Sequence, residues 1–74
     1  MISIGDIVRV ISIPPDLPEG EIGTRSLFAL CVGRSFPVIS VHGELLELHV
    51  GEVLKQPAYL HSIWIEFEHV EHLG

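Results

Sequence analysis

Two strand-like runs, Phe36 to Val41 and Glu44 to Val50, are separated only by His42-Gly43. That spacing constrains the fold more than any other feature, because strands joined by a two-residue turn must lie antiparallel. A type I′ turn needs a positive φ at both central residues, which suits Gly43 better than His42. Taken literally, the turn pairs Val41 with Glu44, Ile39 with Leu46 and Pro37 with Leu48. One face then carries Ile39, Val41, Leu46 and Leu48 and belongs to the core. The other carries Val38, Leu45, Glu47 and His49. A one-residue slip would exchange the two faces.

A lone hairpin is not stable in water, so further strands must cover it. Ile7 to Ile13 is rich in β-branched residues. Its alternation puts Val8 and Val10 inward and Ile11 and Ile13 on the opposite face. Pro14-Pro15 stops it, since neither residue can donate a ladder hydrogen bond. Ser62 to Phe67 repeats the pattern, with Ile63, Ile65 and Phe67 alternating with Trp64 and Glu66. Asp16 to Gly23 reads as an acidic loop, and Gly51 to Leu60 as a connection interrupted by Pro57. Thr24 to Gly33 predicts a short helix, with Thr24 as N-cap and Gly33 just past the C-terminus. A buried strand is the rival reading of that apolar run. Glu68 to His72 is a polar tail with the shape of a single turn or a short edge strand. The expected core is Val8, Val10, Ile39, Val41, Leu46, Leu48, Ile63 and Ile65, roofed by Leu27, Leu30 and Cys31.

The opening Gly5-Asp6-Ile7-Val8-Arg9-Val10 resembles the first strand of SH3-like barrels. That group includes the nitrile hydratase β-subunit barrel, the ferredoxin–thioredoxin reductase variable subunit and the translation-associated KOW modules. The whole chain is similar to small bacterial proteins of this barrel type. The resemblance implies a mainly β fold, a small SH3-like barrel of four to five antiparallel strands with one short helix inserted after the first strand. Residues 1–74 then make a single domain. The resemblance carries no catalytic residue to this sequence, and fold alone does not fix function.

Size and charge narrow the function. A chain of 74 residues buries only roughly 60% of its unfolded surface, so its core is marginal. Cys31 is the only cysteine, which excludes an internal disulfide and fits a reducing compartment. The net charge of −6 lacks the attraction that nucleic acid or anionic lipid requires. No apolar stretch approaches the roughly 20 residues of a membrane helix. Met1-Ile2-Ser3-Ile4 shows no basic start before an apolar run, so the expected location is the cytoplasm.

Candidate chemistry is sparse. His69-x-x-His72 lies among Glu66, Glu68 and Glu71, a donor set suited to Zn²⁺ or Ni²⁺. A solvated acidic tail is the plainer reading, and no bound metal or other cofactor is expected. Cys31 sits between Leu30 and Val32, where burial would make it inert. The serines have no flanking motif, and Gly20-Glu21-Ile22-Gly23 lacks the lysine of a phosphate loop. The chain therefore does not read as an enzyme.

Apolar residues make up 47% of the chain, more than one small core can enclose. Ile11, Ile13, Val38, Leu45, Tyr59 and Trp64 are the candidate interface. Exposed aromatic grooves on SH3-type barrels bind extended peptides. Trp64 could instead close one end of the barrel. The reading is a non-catalytic interaction module, docking on a protein partner or as a homodimer. The alternative is a metal-binding accessory protein using the His/Glu tail.

Overall fold

A computed structural model describes residues 1–15, 17 and 24–74. Apart from Leu17, the acidic loop at Asp16 to Gly23 lies outside the described residues. Among the rest, five strands form one antiparallel sheet: β1 (Ile7–Val10), β2 (Ser35–His42), β3 (Leu45–His49), β4 (Ser62–Glu66) and β5 (Val70–His72). Their spatial order is β4-β3-β2-β1-β5. One helix, α1 (Thr24–Cys31), lies between β1 and β2 in sequence, and 3₁₀ turns at Gly51–Leu54, Ala58–Leu60 and Phe67–His69 fill the remaining connections. The mainly β class, the antiparallel pairing and the helix after the first strand follow the sequence reading. The tail is both of the forms foreseen for it, a turn followed by an edge strand.

The central hairpin departs from its literal reading in two ways. The turn is Gly43-Glu44, with His42 opposite Leu45. Gly43 takes the positive φ, 61°, and His42 stays in the strand where its side chain is not strained. This moves the pairing by two residues, which preserves every face. The second departure changes faces. Val38 lies opposite Leu48, but Ser40 is opposite Glu47 and Val41 opposite Leu46. Two steps along β2 match one step along β3, so Ile39 is the extra residue of a β-bulge.

That bulge corrects the expected core. Before it, Phe36 and Val38 point inward, and Val38 is only 1% exposed. After it, Val41 is inward and half-buried, while Ile39 is no longer a fully buried member. Val38, expected at an outward interface, is therefore core. The bulge also lies where β2 changes partners. Ser35 to Pro37 pair with β1, and the ladder to β3 begins at Val38. Pro37 costs no bond here, because the neighbouring Val38 N–H already donates to Asp6 O at 2.8 Å.

The buried set is Val8, Val10, Phe28, Cys31, Phe36, Val38, Leu46, Leu48, Val50, Ile63, Ile65 and Val70. From α1 the core takes Phe28 and Cys31, three apart on one face, with Leu27 packed beside them. Leu30, expected in the roof, is exposed. The larger apolar ring of Phe28 takes the inward stripe, and one stripe cannot also hold Leu30. Gly33 ends the helix at φ 84° and donates its N–H to Val10 O. β1 is shorter than expected. Ile11 leaves the ladder and is exposed, whereas Ile13 folds back against the core.

β5 completes the sheet by placing Val70 opposite Val10 and Glu71 opposite Arg9, whose side chains form a 3.0 Å ion pair. Gly51, buried at the end of β3, explains the tight connection to β4. A Cβ at this position would run into the Pro57 carbonyl.

Two substitutions test this packing by urea denaturation. Leu48→Ala should cost roughly 2–5 kcal/mol, the range for a fully buried leucine. Gly51→Ala should cost about 1–3 kcal/mol or more, because backbone rather than a flexible side chain must move. Exposed Glu52→Ala, one residue on, should stay within about 0.5 kcal/mol. A neutral Gly51→Ala would mean the Pro57 carbonyl does not approach this closely.

Candidate functional site

The alternation of β4 turns Ile63 and Ile65 inward and leaves Trp64 outward at 41% exposure. Across the outer face, Trp64 lies opposite Glu47 and meets His42 edge-on, with ring centroids 5.1 Å apart. Glu47 accepts a 2.8 Å hydrogen bond from Ser40 Oγ and lies 3.7 Å from His49 Nε2. This face is thus polar around a single large aromatic ring.

Beyond β4 the 3₁₀ turn Phe67–His69 swings the chain round to β5 and carries Glu68 and His69 beside Glu66. The turn is fixed from the β1 side at two points. Ile11 N–H donates to His69 O at 2.9 Å, and Ser12 Oγ lies 2.7 Å from His69 Nδ1. His69 Nε2 then sits 3.4 Å from Glu66 Oε2 and 3.7 Å from Glu68 Oε1. The Ser12 hydroxyl can donate or accept, so it holds the ring in either tautomer.

Pro14, Pro15 and Leu17 face this turn. With Trp64, Glu66, Glu68 and His69 they line a cleft of about 240 Å³. A neighbouring cleft of about 200 Å³ is lined by Glu44, Glu66, Phe67 and Glu68. The two share Glu66 and Glu68. Among the described residues, neither carboxylate pairs with an arginine or lysine, and the one such ion pair is Arg9–Glu71.

The expected interface residues differ in exposure. Trp64 lines the larger cleft, Ile11 and Tyr59 are exposed, Ile13 and Leu45 are half-buried, and Val38 is core. Sequence reasoning missed Pro14, Pro15, Leu17 and Ser12 as site residues. The one available signal was the Pro14-Pro15 stop, which bars the segment after β1 from continuing in a ladder.

The fold also separates the two tail histidines. His69 joins Glu66 and Glu68, whose donor atoms together with its own lie within 4.8 Å of one another. His72 instead reaches Asp6, with Nε2 2.9 Å from Oδ2. Asp6 Oδ2 also accepts the Ser3 N–H at 3.0 Å. That backbone bond, aided by His72, holds the Asp6 carboxyl below its usual value. A divalent cation in this region would take Glu66, Glu68 and His69, not the histidine pair.

Ser12, His69 and Glu66 follow one another as nucleophile, base and carboxylate do in acyl-transfer sites. Ser12 Oγ meets the imidazole at Nδ1, while Glu66 and Glu68 meet it at Nε2. The contact positions the imidazole. Cys31 is fully buried, and desolvation pushes its thiol up to about 11, outweighing the opposing pull of Arg34. No protein-family model matches the chain, and neither a curated protein nor a solved structure does.

The raised thiol pKa has a definite sign. A native thiol that stays neutral while the unfolded one ionises favours unfolding. Stability should therefore fall as pH rises from the ordinary thiol range toward about 11. Cys31→Ala should remove that alkaline dependence. In the native protein at pH 8, Cys31 should resist a thiol reagent that labels it at once in guanidinium. Rapid native labelling would contradict the burial.

Proposed function

We propose that this chain is a small non-catalytic interaction module, built on an SH3-like barrel, that docks a protein partner at the Trp64 cleft. The observation that carries the reading is a half-exposed tryptophan lining a cleft with two prolines, a leucine, a histidine and two carboxylates. Aromatic and apolar walls with a few charged groups are the usual makeup of a peptide-docking groove. The order β4-β3-β2-β1-β5, bent where β2 bulges and changes partners, supports a barrel whose edges approach through the Phe67–His69 turn. The buried, inert thiol supports a role in binding. With a net charge of −6, nucleic acid is an unfavourable partner.

The Glu66–Glu68–His69 donor set favours a second reading, a metal-binding accessory protein. It ranks lower because Glu68 is exposed and the set offers three donors without a closed shell. Stoichiometric zinc or nickel after dialysis, lost in His69→Ala, would reverse the order.

The docking reading is tested by panning a displayed random-peptide library on the folded domain, with Trp64→Ser as counter-selection. Peptides that bind the natural chain and not Trp64→Ser are expected. Trp64→Ser itself should lower stability by no more than about 1 kcal/mol, as a surface change does. Loss of several kcal/mol, with no Trp64-dependent enrichment, would make Trp64 ordinary packing and end the reading.

A further inference from the structure

We infer that the group taken by the Trp64 cleft is an arginine side chain, presented by a basic segment of a partner protein. This rests on the docking reading above and adds the chemistry of the occupant. Three observations converge on it.

The first is charge. Glu66 and Glu68 flank the cleft, and among the described residues no arginine or lysine of this chain neutralises either. Among the described residues, the positively chargeable side chain beside them is His69. An incoming cation meets two carboxylates on one wall of the cleft, Glu66 part-exposed and Glu68 exposed. The second is the aromatic. Trp64 offers an indole to the same cleft, and indole is the strongest of the aromatic partners for a cation. The third is the wall of Pro14, Pro15 and Leu17, apolar surface on which a methylene stem can lie while its charged head reaches the carboxylates.

Together these favour guanidinium over ammonium. Guanidinium is planar, weakly hydrated and able to stack on an indole while donating to a carboxylate. An ammonium is a compact, strongly hydrated point charge that gains less from the aromatic wall.

The same charge argues against a second copy of this chain as the occupant. A symmetric dimer places the same patch on both sides of the interface. Docked through this cleft, two copies would bring their Glu66 and Glu68 pairs together, which repel.

Trp64 is the only tryptophan in the sequence, so its fluorescence reports on the cleft directly. The probes are capped tetra-arginine, tetralysine and tetraglutamate peptides, titrated at low and at physiological salt. Tetra-arginine should change the emission saturably, tetralysine should bind at least fivefold more weakly, and tetraglutamate should do nothing. Glu66→Gln with Glu68→Gln should weaken tetra-arginine tenfold or more. Glu52→Gln with Glu71→Gln removes the same charge elsewhere and should weaken it less than twofold. Circular dichroism confirms that each variant is folded.

Equal affinity for tetra-arginine and tetralysine, or equal loss in both variant pairs, would mean diffuse attraction to an acidic chain and would overturn the inference. Peptides that bind in a Trp64-dependent way but contain no arginine would overturn it too, while leaving the docking reading intact. Self-association strengthened by Glu66→Gln would assign the cleft to a second copy and likewise overturn it.

Discussion

At Ile39, β2 spends two residues advancing one position along β3, and the identity of every inward-facing residue on β2 follows from that step. Without the bulge, a strand paired to β3 through Val41–Leu46 would turn Ile39 in and Val38 out. With it, Phe36 and Val38 face the core on the β1 side, and Val41 faces it on the β3 side. One strand can then serve two ladders whose inner faces both remain apolar. A bulge also adds local twist. Val8 and Val10 of β1 belong to the same buried cluster as Ile63 and Ile65 of β4.

The candidate site inherits its geometry from this frame. β4 registers on β3 through Leu46–Ile65 and Leu48–Ile63, so Trp64 and Glu66 are outward by the parity of the strand. The connection from β4 to β5 needs only the three-residue turn Phe67–His69, and that turn delivers Glu68 and His69 next to Glu66. The chain after β1 comes from the other side. It ends its ladder at Val10, holds His69 through Ser12, and sets Pro14, Pro15 and Leu17 against the turn. The cleft is therefore made where the two outermost strands of the sheet begin and end, and its walls come from segments far apart in sequence.

What the sequence disclosed and what it hid divide along the same line. Local chemistry was readable. Gly43 marked the hairpin, Thr24 and Gly33 bounded the helix, and alternation placed Val8, Val10, Leu46, Leu48, Ile63 and Ile65 inward and Trp64 outward. The bulge was not readable, because Val38 and Ile39 are both β-branched and apolar, and nothing local says which one is the extra residue. Phe28 was overlooked for Leu30 because helical spacing alone admits either stripe. Gly51 gave no hint of its close approach to Pro57, since its φ is ordinary and the crowding comes from a turn six residues on. The pairing of Ser12 with His69 spans most of the chain and has no spacing rule. The tail histidines looked like partners at three-residue spacing, but a strand begins between them, and the end of β5 carries His72 to Asp6.

The pairing of β2 with β3 is the claim on which the rest stands, and NMR cross-strand contacts read it directly. In an antiparallel ladder, directly opposed residues are close enough for nuclear Overhauser effects between their backbone protons. The bulged register gives cross-strand contacts between Val38 and Leu48 and between Val41 and Leu46, with Ile39 lacking a directly opposed partner on β3. Contacts of Ile39 with Leu48 and of Pro37 with Val50 would show an unbroken ladder, return Val38 to the outer face and contradict the account.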